Sequence, residues 1–258
     1  MRPASRRARP ACQRKGNNHS MLSLHVSGSP MDEAGDALEK ALQEHKEKHT
    51  LLLFSGGSAI ALVNYLHAKI FSPLHTISVL DERYTFADDE SNFSVLERTS
   101  LFAQAVEHGT HILDPRPREN ETLEDTAKRF DLALKHWHIA HRDGIVIATM
   151  GIGPDGHTSG ILPMSEDTKG FAKLFLDETK CAVGYEASPN KNPYTKRITT
   201  TVTYLTRHVE HAIVFASGVP KREVLQKIVA GGEDIASLPA MVLQQMKHVD
   251  LFTDLSLT

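Results

Sequence analysis

Gly144-Ile145-Val146-Ile147-Ala148-Thr149 runs directly into Met150-Gly151-Ile152-Gly153-Pro154-Asp155-Gly156-His157-Thr158, and the reading of this stretch decides the fold. The first part is apolar and β-branched, the pattern of a fully buried strand. Three glycines and a proline then stop the strand and suit a tight turn with unusual backbone angles. The turn ends on an acid and a histidine, Asp155 and His157. In open α/β sheets ligands bind outside the carboxyl ends of the strands, which is where this pair falls. An imidazole there exchanges a proton near neutral pH and suits the task of a general base. Taken alone, a G-x-G turn reads more readily as a polar turn with an exposed histidine. The rest of the chain supplies the context.

Outward from this stretch, strands alternate with helices. Leu22–Val26 reads as a strand and residues 31–49 as an amphipathic helix, with Ala34, Ala37, Leu38, Ala41 and Leu42 at helical spacing. Leu51–Phe54 is a buried strand that runs into Ser55-Gly56-Gly57-Ser58, followed by a helical pattern from Ala59 to about Ile70. Glycines between a strand and a helix start let backbone N–H groups approach an anion. The same residues read equally well as an ordinary helix start capped by Ser58. Ile77–Leu80 is the next strand, with Asp81-Glu82-Arg83-Tyr84 at its end, either an exposed charge cluster or part of a site. Asp88–Phe93 is an acidic turn in which Ser91 or Asn92 caps the next helix.

A short strand over 110–113 and a long helix over 121–141 come next. His136, His138 and His141 end that helix, but His136 and His138 point to different faces, which fits a solvated end better than a metal site. Beyond the His157 turn, Phe171–Leu176 is ambiguous. Cys181–Ala187 and His211–Ala216 read as strands, Ser188–Tyr194 as a polar loop, and residues 198–203 as a threonine-rich run opened by Lys196-Arg197. Pro220 suits the first turn of a helix through Val229, Leu238–Met246 is a short helix, and Val249–Thr253 a last strand. The alternation argues a largely parallel sheet covered on both faces, in one α/β domain over residues 21–258.

Composition sets the outer limits. In a chain of 258 residues, 40% hydrophobic and 24% charged residues are ordinary for a globular protein with a full core. A formal net charge of -3 gives no whole-chain case for nucleic acid or membrane binding. No apolar run approaches the ~20 residues that span a bilayer. Cys12 and Cys181 have neither metal-ligand spacing nor a disulfide framework, so a reducing cytoplasm is the expected setting. Residues 1–20 differ from the rest: they are basic, contain Pro3 and Pro10, and lack apolar periodicity. They are expected to be a disordered extension, read equally as a transit peptide, a basic arm or a stretch ahead of a true start at Met21.

Five motifs in order carry a resemblance. They are Ser55-Gly56-Gly57-Ser58, then Asp81-Glu82-Arg83-Tyr84 with Ser91-Asn92-Phe93, then Gly151-x-Gly153-x-Asp155-Gly156-His157-Thr158, Arg197-Ile198-Thr199 and Gly218-x-x-Lys221. The chain from about Met21 to Asp254 resembles the glucosamine-6-phosphate isomerase/6-phosphogluconolactonase family. Thr158 and Leu162-Pro163 are similar to its lactonase branch. The lactonases usually read His-Thr-Ala-Ser-Leu-Phe-Pro where this chain has His157-Thr158-Ser159-Gly160-Ile161-Leu162-Pro163, so no role is carried over to Ser159. Their usual Trp-Gly before the Asp-Glu-Arg is Val79-Leu80 here.

The resemblance implies a Rossmann-like, three-layer fold of the ribose-phosphate-isomerase type and the hydrolysis of 6-phosphoglucono-1,5-lactone. It implies neither a metal nor a cofactor, and a small phosphosugar lactone as the partner of a monomer or weak homo-oligomer. Ser55, Gly56, Gly57, Ser58, Arg197 and Lys221 are then expected to hold the phosphate. His157 is the expected general base, supported by Asp155, with Arg83 and turn backbone N–H groups near the developing oxyanion. Asp81, Gly156 and Thr158 are expected to touch the sugar. Two rival readings are an amino-sugar phosphate deaminase, with Asp81 shuttling protons, and a sugar-phosphate sensor without chemistry.

Overall fold

The computed structural model describes residues 21–188 and 194–257; the basic extension over 1–20 and most of the expected polar loop lie outside them. Seven strands form one parallel sheet: β1 (Met21–Val26), β2 (Thr50–Phe54), β3 (His75–Val79), β5 (His111–Ile112), β6 (Ile145–Gly151), β9 (Val209–Phe215) and β10 (His248–Thr253), in the order β1-β10-β9-β6-β2-β3-β5. The expectation of a largely parallel sheet is met. Successive side chains of a strand point to opposite faces. Leu51 and Leu53 therefore join Val146, Ala148 and Met150 in one core, while Leu52 and Phe54 join Ile77, Val79 and Ile147 in the other. This double burial explains why the strands read as continuous apolar runs rather than alternating ones.

Helix α1 (Pro30–Glu44) covers the second face through Ala34, Leu38, Ala41 and Leu42. The long helix α4 (Leu123–Ala140) covers the first through Ala127, Phe130, Leu134 and Trp137, and starts at a Thr122/Asp125 capping box. Helices α2 (Asn92–Glu97) and α3 (Ser100–Glu107) follow β3, and α5 (Thr168–Phe175), α6 (Val202–His208) and α7 (Arg222–Ala230) belong to the second half. The ambiguous Phe171–Leu176 stretch lies at the end of α5, which Asp167 caps through Gly170 N–H.

The strand order places the site. From β2 the chain steps outward to β3 and β5, then returns to the other side of β2 with β6 and continues outward through β9 and β10. The loops leaving β2 and β6 diverge to opposite sides, so a crevice opens between their carboxyl ends, as at any topological switch point. Ser55–Ser58 leaves β2 and Gly151–Thr158 leaves β6.

Three expectations need correction. Asp81-Glu82-Arg83, which reads as the end of the Ile77–Leu80 strand and as either an exposed charge cluster or part of a site, is buried at Asp81 and Glu82 and forms a strand of its own, β4 (Asp81–Arg83), in a second sheet. That sheet is antiparallel, with β8 (Lys196–Thr200) between β4 and β7 (Ala182–Glu186). Short strands completed only by distant partners give no periodicity of their own. The helix expected over 59–70 is instead two 3₁₀ segments, Gly57–Tyr65 and Ala68–Ile70. His67 separates them because its N–H and ring nitrogen are captured by Glu39, at 3.0 and 2.9 Å. The helix over 238–246 is likewise a 3₁₀ turn, Pro239–Gln244.

Candidate active site

One cleft of about 290 Å³ lies over the crevice. Its walls include Ser55, Gly56, Gly57 and Ser58 from the β2 loop, and Gly151, Gly153 and His157 from the β6 loop. Asp81 and Arg83 from β4, Arg197 from β8 and Lys221 complete it. Residues far apart in sequence therefore face one cavity, close to the lower end of the size range of small-molecule sites.

The β6 loop is built around its histidine. His157 Nδ1 lies 2.5 Å from Asp155 Oδ1, so the neutral ring carries its proton on Nδ1 and leaves the Nε2 lone pair free. Burial is the largest single influence on the Asp155 carboxyl and would push it up, but the His157 hydrogen bond, the charge of that ring and backbone N–H groups together outweigh it, and the carboxyl sits below its ordinary value. Gly153 is required by space: a Cβ there would stand 2.6 Å from Asp155 Oδ1 and closer still to the His157 ring. Gly156 has φ +82°, in the left-handed region that favours glycine, and a Cβ would run into Leu238.

Two expected substrate contacts are placed elsewhere. Thr158 is buried and its hydroxyl donates to Gly151 O at 2.7 Å, closing the turn. The Gly156 carbonyl accepts from Ala240 N–H behind the loop. Neither lines the cleft. The turn amides expected to face an oxyanion are also spent inside the loop: Gly153 N–H donates to His157 O, Gly156 N–H to Gly153 O, and His157 N–H to Asp155.

The β2 loop offers the anion cradle. Ser55 N–H donates to Thr149 Oγ1, which fixes the strand exit. Gly57 has φ +61°, and a Cβ on Gly56 would collide with the Asn92 side chain. The 3₁₀ segment starts at Gly57 after an uncapped Gly56, so the Ser58 capping expected of an ordinary helix start is absent. The first N–H groups of such a turn have no partner within it.

The antiparallel sheet supplies the cations. Its register sets Arg83 directly opposite Arg197, both lining the cleft. Like charges directly opposite repel. The structure holds each separately: Arg197 is 3.5 Å from Asp81, with side chains 5% and 7% exposed, and its Nε donates to Tyr194 O. Arg83 lies 4.6 Å over the Tyr194 ring and donates to Glu90 O, while its buried Nε has no partner among the described residues. Burial pushes the Lys221 amine below its ordinary value, and among the described residues it makes no ion pair. With Arg83 and Lys221 in no ion pair among the described residues, the wall suits an anionic ligand.

Beneath the cations, Glu82 is fully buried and accepts four hydrogen bonds, from Ser91 Oγ and the N–H groups of Arg83, Asn92 and Phe93. Asn92 then donates to Asp81 O and Oδ2, and lines the cleft itself. The sequence offered Asn92 as a helix cap and as part of the Ser91-Asn92-Phe93 motif, with no role in the site. Ser91 is the cap, accepting from Ser94 N–H. Ser159, at φ +49°, also lines the cleft with its buried Oγ unpaired among the described residues.

Known proteins agree with this architecture. A 6-phosphogluconolactonase of Helicobacter pylori strain 26695 is 28% identical over 212 residues, 80% of this chain and 83% of that protein. The corresponding protein of strain J99 is 30% identical over 192 residues, 72% of this chain and 74% of that protein. The crystal structure of a 6-phosphogluconolactonase from Shewanella baltica OS155 superposes with a TM-score of 0.72 at 20% identity, over 91% of this chain and 97% of that one, and shares the fold. The profile described as glucosamine-6-phosphate isomerases/6-phosphogluconolactonase matches residues 27–252. With that match spanning β2, β4, β6 and β8 and every loop of the cleft, the chain belongs to the glucosamine-6-phosphate isomerase/6-phosphogluconolactonase family.

Proposed function

We propose that the protein hydrolyses 6-phosphoglucono-1,5-lactone to 6-phosphogluconate, the oxidative pentose phosphate reaction for which its relatives in Helicobacter pylori are named. The observation that carries the reading is a single cleft holding both a cationic wall, in which Arg83 and Lys221 make no ion pair among the described residues, and a carboxylate-oriented imidazole. The phosphate sits against the Gly56–Gly57 backbone and the Ser55 and Ser58 hydroxyls, with Lys221 and Arg197 supplying charge. Arginine offers paired donors and lysine a point charge. Anchoring at the phosphate orients the lactone carbonyl near His157.

His157 Nε2 takes a proton as water attacks C1. The C1–ring-oxygen bond then breaks, and the proton passes from His157 to the leaving oxygen. Asp155 supports the imidazolium formed between the two steps. Arg83, which lines the same cleft, stabilises the oxyanion. A lactone is an activated ester, so this route needs no covalent intermediate.

The catalytic unit is residues 21–258, acting as a monomer or weak homo-oligomer on a small soluble substrate. No described helix is long and apolar enough to cross a membrane. Cys181, a buried free thiol, suits a cytoplasmic setting. The amino-sugar isomerase reading needs a carboxylate free to shuttle protons, and Asp81 is occupied by Arg197 and Asn92. The deciding assay follows acid release from freshly generated 6-phosphogluconolactone above its spontaneous rate. Acid release that never exceeds that rate, or ammonia release from glucosamine 6-phosphate instead, overturns the reading.

A further inference from the structure

A second cluster of imidazoles lies on the α1 face of the sheet, towards the amino ends of β9 and β10 and away from the cleft at the carboxyl ends. The register pairs His211 with His248, and Asp250, two residues on, points to the same side. Asp250 Oδ2 lies 2.8 Å from His211 Nε2 and 3.4 Å from His248 Nε2. The two rings stack with centroids 3.9 Å apart. One ligand atom from each of the three residues falls within 4.8 Å of the other two. From β1, His25 stacks on Phe252 and places its Nε2 2.8 Å from the other carboxylate oxygen of Asp250.

Hydrogen bonding alone accounts poorly for this arrangement. His25 and His211 already occupy the two oxygens of Asp250, yet His248 brings a third ring nitrogen towards the oxygen that His211 uses. Two nitrogens and one carboxylate oxygen lie within reach of one tetrahedral cation, and because an imidazole binds metal in its ring plane, turning the half-exposed His248 ring out of its stack on His211 would bring both lone pairs onto it. Zinc bonds of about 2.0–2.1 Å set neighbouring ligand atoms roughly 3.3 Å apart, and the observed separations lie on either side of that. Two imidazoles with a carboxylate suit zinc in particular. All three residues stand on paired strands, so the backbone needs no rearrangement.

We propose that His211, His248 and Asp250 form a site for one zinc-class divalent cation, with His25 as the outer partner that orients the Asp250 carboxylate. The fourth position is open to water. The site lies away from the lactone cleft, and its effect is to tie the edge strand β1 to β10 and β9. The proposal is independent of the catalytic reading.

The test uses the full chain, stripped with a chelator and titrated with Zn²⁺ against a chromophoric competitor, then with Co²⁺. One equivalent should bind with a dissociation constant below about 10 µM, and Co²⁺ should give the strong visible bands of a tetrahedral site. Free Zn²⁺ at about 100 times that constant should raise the melting temperature by roughly 5–10 °C. His248→Gln, at a half-exposed position, should weaken binding at least about 100-fold. His25→Gln should weaken it about 10–100-fold, the usual cost of losing an outer partner. His157→Ala should leave it unchanged. No binding by the stripped chain, an equivalent that survives both His248→Gln and Asp250→Asn, or one lost in His157→Ala each overturns the proposal.

Discussion

Replacing Gly153 by alanine tests whether the imbalance of a single methyl group can disable the proposed base without touching it chemically. The backbone at Gly153 is not in the left-handed region, so alanine meets no conformational strain there. Its Cβ, however, would stand 2.6 Å from Asp155 Oδ1, where ordinary contact begins at 3.4 Å, and nearer still to the His157 ring. Asp155 and His157 must therefore retreat together by roughly 1 Å, and a misplacement of that size costs about 10²-fold. Because the turn is half exposed, the fold should lose no more than about 1 kcal/mol. The expected result is a fall in kcat of about 10²-fold in the acid-release assay, or about 2.7 kcal/mol of transition-state stabilisation, with a melting temperature close to that of the parent. The same substitution in a His157→Ala background should cost less than about 2-fold, since its effect acts through the missing ring. A full 10²-fold loss on top of His157→Ala, or no loss in the parent, would refute the reasoning.

Other consequences are as open to measurement. His157→Ala should lower kcat by about 10²–10⁴-fold with KM changed little, read in the same assay. Lys221→Met should raise KM, with the larger effect for phosphorylated over unphosphorylated lactones. Burial lowers the Lys221 pKa, so its charge is lost as pH rises, before an ordinary lysine would titrate. Affinity for 6-phosphogluconate should therefore weaken on the alkaline side, and Lys221→Arg should remove that limb of the calorimetric profile. Glu82→Gln sets an amide N–H₂ against backbone N–H donors in either orientation, and should cost about 1–3 kcal/mol in denaturant unfolding. Arg197→Met strands a buried carboxylate at Asp81 and should cost about 3–5 kcal/mol, much of it recovered by adding Asp81→Asn.

The parallel sheet and the identity of its two functional loops could be read in the sequence because both signals are local. A strand buried on both faces appears as an unbroken apolar run, as in Ile145–Ala148 and Leu51–Phe54, and a loop that must accept positive φ or a close side chain appears as glycine. Gly56, Gly57, Gly153 and Gly156 each meet one of these needs. What only the tertiary structure decided involves partners distant in the chain. The strand at Asp81–Arg83 exists because Lys196–Thr200 pairs with it, and that register alone sets Arg83 against Arg197. The resemblance implies a substrate contact at Thr158, yet in the fold its hydroxyl donates to Gly151 O. The His211/His248/Asp250 cluster carried no local pattern, and Asn92 and Ser159 stood in motifs that gave them no place in the site, since the meaning of all five lies in what faces them across a cleft or a strand. Periodicity and turn chemistry depend on near neighbours and survive in one dimension; a site's charge balance depends on contacts between residues tens to hundreds of positions apart, and only the folded chain brings those together.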